Sequence, residues 1–403
     1  MLIGGGRFSA AARLLCLLAA AHLSGAGVPA FAQNAEPAVW PWVKTGDAAD
    51  EMTILLFGDT NIQDRQQPAD AFKHLMPTLR AADVRFANCE MLFVEPSSDP
   101  RKPDIPHKLT WKHSHPAMVE ALRAARFDAV GLASNVTYPV GALMQSLPVL
   151  ERAGIPYTGS GKNIEEAHHP VVVERKGVKI GFIQWTSVFW HVAHAATADA
   201  PGVSTVRIHT SYQPHPRVLE MPGGPPRVVT IPDAEELARM VEDVRKLRAR
   251  VDVLVASFQW GISSSTEVAD YQRTLARAAV DAGADLVIGH GPHMVQPVEV
   301  YRGKPVFLSL ANFVFDWPKM RKSPDGLMVR AVVKDRRLAR VSFVPLRRDA
   351  ENNPVLLDPN AGAGADILKQ VRDLGGEGGA PLGVEGREVV VGGIIGEVSR
   401  TPR

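Results

Sequence analysis

Short apolar runs, each closed by a polar residue, recur along this chain. Thr53-Ile54-Leu55-Leu56-Phe57 runs into Gly58-Asp59, Val84-Arg85-Phe86-Ala87 into Asn88-Cys89-Glu90, and Ala129-Val130-Gly131-Leu132-Ala133 into Ser134-Asn135. Further on, Val253-Leu254-Val255-Ala256 leads to Gln259-Trp260-Gly261, Leu286-Val287-Ile288 to Gly289-His290, and Val306-Phe307-Leu308-Ser309-Leu310 to Asn312. Near-continuous apolarity over such short lengths predicts strands buried on both faces. Helical spacings lie between them: near Asp70 to Ala82, near Pro116 to Ala125 with Met118, Leu122 and Ala125 on one face, near Ala142 to Ala153, and over Val268 to Ala282 with Gly283 as the stop. Asp233, with Glu236 three residues later, predicts a capping box ahead of the stripe Leu237, Met240, Val241, Val244 and Leu247.

Three stretches break the alternation. Val171-Val172-Val173, the turn Lys176-Gly177 and Val178 to Ile183 predict a hairpin, as do Leu327 to Val333 with Leu338 to Val344. Residues 199–232, rich in Pro and Gly, predict a long surface excursion, and the Gly-rich tail from Asp349 carries little periodic signal. The alternation predicts an α/β chain whose largely parallel sheet is covered on both faces, with the hairpins making a mixed sheet or a second sheet packed on the first. Open α/β sheets take their ligands beyond the carboxyl ends of their strands. Here those ends carry Asp59, Asn88, Glu90, Asn135, Gln259, His290 and Asn312.

Composition narrows the possibilities. The 403 residues are 45% hydrophobic and 22% charged, with 45 Lys+Arg against 43 Asp+Glu. That balance excludes low-complexity disorder, coiled coil and collagen. It also argues against a nucleic-acid partner, which needs a concentrated positive field. Residues 1–32 read as a secretory leader: Arg7 and Arg13 precede an apolar core from Leu14 to Ala21, and Ala30-Phe31-Ala32 supplies a small-x-small cleavage pattern. The expectation is an exported protein, periplasmic or secreted, with no stable membrane span once the leader is removed; anchoring by an uncleaved leader is the alternative. The apolar run is shorter than the roughly 20 residues that span a bilayer. Removal of the leader leaves Cys89 as the single cysteine, hence no intramolecular disulfide, and Cys89 is expected to be a small buried hydrophobe.

Candidate chemistry concentrates at the strand ends. Gly289-His290-Gly291-Pro292-His293 places two imidazoles three apart in a tight turn able to aim both into one cavity. With Asp59, Glu90 and Asn135 they form a mixed N/O set suited to Mn, Fe or Zn rather than Ca or Cu. Bound hydroxide at such a centre would be the nucleophile. The histidines His113, His115, His168, His169, His191 and His194 read as surface loop residues, although His191 and His194 follow a strand closely enough to enter the cleft. Lys108 and Lys112, around Trp111, read as a solvated loop that could instead line the cleft for an anionic polymer.

The order of motifs resembles the CapA/PgsA-like poly-γ-glutamate capsule biosynthesis family, whose fold is that of the calcineurin-like metallophosphoesterases. The pieces that carry the resemblance are Leu56-Phe57-Gly58-Asp59 with Arg65, Asn88-Cys89-Glu90, Leu132-Ala133-Ser134-Asn135 and Gly159-Ser160-Gly161-Lys162-Asn163. They continue with Gln259-Trp260-Gly261, the stretch Asp285 to His293, and Gln296-Pro297-Val298-Glu299 through Phe307 to Asp316. The resemblance implies a four-layer α+β domain over 51–346, with mixed sheets flanked by helices, between a lead at 33–50 and a Gly-rich extension at 347–403. It implies Asp59, His290 and His293 as catalytic groups and Asp59, Glu90, Asn135, Gln259, His290 and His293 as metal ligands. Arg65, Asn88, Gln259, Trp260, Asn312 and Asp316 would line the cleft.

Four departures from the family pattern bear on activity. Val136 stands where an imidazole general acid is usual, Gln259 where an imidazole ligand is usual, Ser263 where a glutamate is common, and Gly291 where a further histidine is. A positioned general acid is worth about 10²–10⁴ in rate, and valine cannot supply one. Three readings therefore stay open, with one metal, two, or none. The first is an accessory in making or exporting an anionic polymer, working with cell-envelope biosynthesis proteins. The second is a metal-dependent phosphoesterase or other hydrolase. The third is a metal-independent acid/base enzyme acting on a peptide-like chain.

Overall fold

A computed structural model describes residues 51–99, 101–320 and 323–394; the leader at 1–32 and the lead at 33–50 lie outside the described residues. Two sheets pack face to face. In the larger, Met52–Asn61 is central, parallel to Val84–Cys89 on one side and antiparallel to Asp325–Lys334 on the other; Ala129–Gly131 and Tyr157–Thr158 continue the parallel half. In the smaller, Val178–Thr186, Val253–Gln259, Leu286–His290 and Lys304–Phe307 run parallel, and Val171–Arg175 and Val298–Tyr301 close its edges antiparallel.

Strand alternation decides which layer each side chain joins. From the central strand, Ile54 and Leu56 point between the sheets, where they meet Phe182, Val255 and Ile288, while Leu55 and Phe57 point outward to the helices. Phe86 stacks on Phe182 across the inter-sheet layer, ring centroids 4.8 Å apart. One outer layer comprises Met76–Ala81, Val119–Ala124 and Val140–Arg152 against the larger sheet, and the other Ala234–Arg248 and Asp270–Ala282 against the smaller. The expected α/β class, with mixed sheets flanked by helices, is what the chain forms. No helix among the described residues is long and apolar enough to cross a membrane.

Several local expectations shift. The spacing near Asp70 to Ala82 is split into a 3₁₀ turn, Pro68–Phe72, and the short helix from Met76, because Pro77 fits only a first turn. Asp233 caps its helix, accepting from the Glu235 and Glu236 amides at 3.1 Å, but the reciprocal half of the capping box is missing. The Glu236 carboxylate instead accepts from the Arg207 amide at 2.6 Å and the Thr205 hydroxyl at 3.1 Å, tying the helix to the preceding loop. The excursion at 199–232 holds an antiparallel pair, Ile208–Gln213 with Arg227–Pro232. The weakly periodic tail also folds. Helix Gly362–Gly375 buries Ile367, Leu368 and Val371 in the inter-sheet core, and Glu388–Val391 pairs with Arg337–Arg348. Its pieces are short and Gly-rich, so few apolar positions are available to mark a period.

Candidate metal centre

The polar strand ends come together on one side of the two sheets. Asp59 sits near the carboxyl end of the central strand, beside Asn312 of the parallel strand Asn312–Phe315. Gly58 is required there: a Cβ would lie 1.9 Å from the Ala311 carbonyl oxygen. Glu90 directly follows the neighbouring strand, and His290 ends Leu286–His290 in the second sheet. The next turn bends back through Gly291 at φ 101° and His293 at φ 57°, a left-handed conformation a histidine adopts only when its surroundings enforce it.

Asp59 is the hub. Its carboxylate accepts from Asn88 Nδ2 at 2.7 Å and from the Gly291 amide at 3.2 Å, and it faces His293 Nδ1 at 3.2 Å and His290 Nδ1 at 3.6 Å. His293 Nδ1 donates to Asn312 Oδ1 at 2.9 Å, which turns Nε2 toward Glu90, 3.9 Å away. Ligating atoms of Asp59, Glu90 and His293 all lie within 4.8 Å of one another.

Charge and burial pull these groups apart. Burial alone would raise the Asp59 carboxyl, but the His293 hydrogen bond, the charges of His293 and His290 and the Asn88 amide hold it below the usual range. Glu90 is pushed up to about 7, chiefly by burial and further by Asp59, against the pull of His293 and Lys108. His290 is pushed down to about 4 by burial, with Asp59 only partly opposing. Burial also disfavours a charged His293, yet Glu90, Asp59 and Asn312 together raise it to about 9.

The pocket fits a metal ion. Both Glu90 carboxylate oxygens and both His290 ring nitrogens are buried without a hydrogen-bond partner. Orphaned buried polar atoms are costly; a divalent cation among Asp59, Glu90 and His293 would take up the Glu90 oxygens and at most one His290 nitrogen, since the two ring nitrogens face different sides of the imidazole. Two carboxylates and the His293 imidazole, with His290 beside Asp59, form a mixed N/O donor set suited to Mn, Fe or Zn.

The other expected site residues divide. Asn88, Asn135 and Gln259 belong to a hydrogen-bonded line of amides: Asn88 Nδ2 donates to Gln259 Oε1 at 2.9 Å, and Gln259 Nε2 to Asn135 Oδ1 at 3.3 Å. The Gln259 oxygen accepts from Asn88 and its amide also acts on Glu90, so the side chain braces the carboxylate side of the pocket. Trp260 lies in the core, not the cleft: it is fully buried, stacked on Phe258 at 4.7 Å, and donates from Nε1 to the Leu308 carbonyl at 2.8 Å. Arg65 and Asp316 pair bidentately at 2.7 and 2.6 Å and line a polar cavity of about 450 Å³ with Gln63 and Asp70, to which the centre's own ligands do not contribute. Cys89 is buried, its thiol pushed up to about 12 by burial, an inert core residue.

Two of the presumed surface histidines are buried, His113 and His194, while His191 and His169 are exposed. His194 Nδ1 accepts from the Trp190 amide at 3.0 Å and its ring packs on Tyr138, away from the ligand cluster. Val136 is sealed in an apolar cluster with Ile105, Trp111, Phe315 and Trp317. Gln184 was not anticipated: its Nε2 donates to Asn88 Oδ1 at 2.8 Å and its Oε1 accepts from the Ala133 amide at 2.7 Å. A lone amide inside the apolar run Val178 to Trp185 was the available signal.

Comparison with known proteins follows the same outline. The profile of the family described as bacterial capsule synthesis protein PGA_cap matches residues 45–317. The chain is similar to the capsule biosynthesis protein CapA of Bacillus anthracis, 28% identical over 327 residues that cover 77% of this chain and 72% of that protein. It is also similar to the PGA biosynthesis protein CapA of Bacillus subtilis strain 168, 28% identical over 287 residues that cover 70% and 66%. Among solved structures, a novel phosphatase from Mycoplasma pneumoniae superposes over 77% of this chain and 95% of its own with a TM-score of 0.45 and 10% identity.

Proposed function

Since the chain belongs to the bacterial capsule synthesis protein PGA_cap family, we propose that it is an exported accessory in the synthesis or export of poly-γ-glutamate or a related anionic extracellular polymer. The polymer would be held over a divalent metal bound by Asp59, Glu90, His290 and His293. The observation that carries this reading is the set of buried Glu90 and His290 atoms without hydrogen-bond partners beside the Asp59–His293 pair. The leader at 1–32 supports export, and the names of the Bacillus relatives support the polymer class.

The surrounding residues each have a part. Asn88 and the Gly291 amide fix the Asp59 carboxylate, and Asn312 fixes the tautomer of His293 so that Nε2 faces the ligand position. Such second-layer hydrogen bonds commonly govern metal affinity. When bound, the metal would polarise a carbonyl or phosphoryl oxygen and lower the pKa of water. Val136 supplies no proton for a leaving group, so the cleft suits binding and polarisation better than fast turnover.

Elemental analysis of protein purified without chelators, together with equilibrium dialysis against poly-γ-glutamate, tests the proposal. About one transition metal per chain and saturable polymer binding are expected. Absence of both would overturn it. A second reading, a metal-dependent phosphoesterase, is favoured by the carboxylate–imidazole donor set itself and would show as metal-restored turnover of phosphoesters. Turnover on a peptide-like chain that ignores chelator would instead indicate acid/base chemistry between the imidazoles and Asp59 or Glu90.

A further inference from the structure

Lys108 is placed unusually for a loop lysine. Its Nζ lies over two indole faces, 4.3 Å from the Trp111 ring centroid and 4.6 Å from that of Trp317. Both rings are fixed: Trp111 Nε1 donates to His113 Nδ1 at 3.3 Å, and Trp317 Nε1 to the Thr110 carbonyl at 3.0 Å. The expectation of a solvated loop holds for Lys112, which is exposed, but Lys108 is half-buried. Among the described residues its ammonium makes no hydrogen bond and no ion pair within 4.0 Å.

The nearest charges define what lies in front of it. Lys108 and Glu90 act on one another electrostatically, and Lys319, itself 5.5 Å from the Trp317 ring, adds a second positive charge. A lysine that served only to neutralise Glu90 would bond it, since four methylenes give ample reach. Instead the two stop short of contact, the carboxylate oxygens without donors and the ammonium without an acceptor. Half-buried Tyr138 and Trp190, 5.9 Å apart, pack against the same apolar cluster as Trp111 and Trp317 and extend the aromatic surface beside Lys108.

We propose that Lys108 is the anion clamp of this cleft, taking a carboxylate of an acidic, γ-linked peptide chain beside the metal centre while the aromatic wall takes the chain's methylenes. This rests on the function proposed above. A γ-glutamyl repeat offers one carboxylate and two methylenes per residue, which matches a cation seated among indoles. Indole faces also hold the ammonium partly stripped of water, so an arriving carboxylate meets a cation whose desolvation has already been paid for in folding.

The test is titration of a short γ-glutamyl oligomer into the metal-loaded protein, followed by calorimetry and by the fluorescence of the tryptophans that flank Lys108. Inorganic phosphate serves as the second probe. Lys108→Met, which keeps the stem on the indoles, is expected to weaken oligomer binding about tenfold or more, the loss of one charge-assisted hydrogen bond. Lys108→Arg should stay within about threefold, and metal content should not change in either. Equal affinity of wild type and Lys108→Met for the oligomer overturns the clamp and leaves the proposed function standing. Phosphate binding that needs Lys108, without oligomer binding, keeps an anion clamp but overturns the polymer as its ligand and with it the functional reading. Binding of neither probe overturns both.

Discussion

Replacing Glu90 with glutamine should change stability in opposite directions with and without metal. In chelated protein the Glu90 carboxylate is buried and stands near Asp59, which together place it at about 7 against 4.5 for an ordinary glutamate. A group raised in the folded state holds its proton more tightly there than in the unfolded chain. It therefore costs nothing below about pH 4.5, and the cost grows as pH rises until it is complete above about 7. The ceiling is about 3 kcal/mol at one pKa unit per 1.36 kcal/mol. Glutamine keeps an unsatisfied polar group, so Glu90→Gln should stabilise the metal-free protein by about 1–3 kcal/mol at pH 8 and by nothing at pH 4.5. With metal at about a thousand times its Kd, the wild type gains about 4 kcal/mol. In a chain of this length that is a rise of about 5–6 °C in Tm, and the variant should lose most of it. Differential scanning fluorimetry at the two pH values, with EDTA and with Mn²⁺ or Zn²⁺, reads all four states. A metal-free variant less stable than wild type at pH 8, or one that retains the full metal-induced rise, would refute the reasoning.

Three other outcomes follow from the same geometry. Asp59→Ala and His290→Ala should each lower metal content measured by mass spectrometry, and retention of full content by both would remove them from the ligand set. Gly58→Ala forces a methyl into the Ala311 carbonyl and should lower urea stability by about 3 kcal/mol or more, beyond ordinary overpacking; a wild-type midpoint would mean that strand pairing relaxes freely. His113 and His194 are each pushed down to about 4 by burial, so stability should fall as pH drops from 6.5 toward 4, by up to about 3 kcal/mol for each. His194→Gln should flatten that slope in acid urea titrations, and an unchanged slope would place the acid sensitivity elsewhere.

The larger features of the fold were legible because burial on both faces writes itself as uninterrupted apolarity. Val253 to Ala256 and Leu286 to Ile288 announce central strands, and the polar residue closing each run announces the pocket. Asp59, Glu90, His290 and His293 could be gathered on that rule although some 230 positions separate the first from the last. What the sequence hid was the competition for each polar atom. Gln259 reads as a lone polar residue before Trp260, and only the folded chain shows its amide strung between Asn88 and Asn135. Trp260 looked like cleft lining because it adjoins Gln259, but successive strand residues face opposite ways, and the neighbour of a pocket residue belongs to the core. His113 and His194 looked like surface residues because histidine is polar, and only the folded chain shows the aromatic groups that enclose them. The tail after Asp349 hid its helix and strands for a simpler reason: short elements docked on a finished core need few apolar residues.

The amides beneath the centre form a directional wire. The Ala133 main chain donates to Gln184, Gln184 to Asn88, Asn88 to Gln259 and Gln259 to Asn135, so the path crosses from the larger sheet to the smaller and back twice. Its first donor is a peptide N–H, which cannot reverse, so every amide downstream inherits its sense. Sliding one sheet along the other by a residue would break the path at all four crossings, whereas the Phe86–Phe182 stack would merely find a new partner. Alignment of the two halves of the molecule is thus enforced at the floor of the pocket, and a substitution that loosens the floor should let the layers shear.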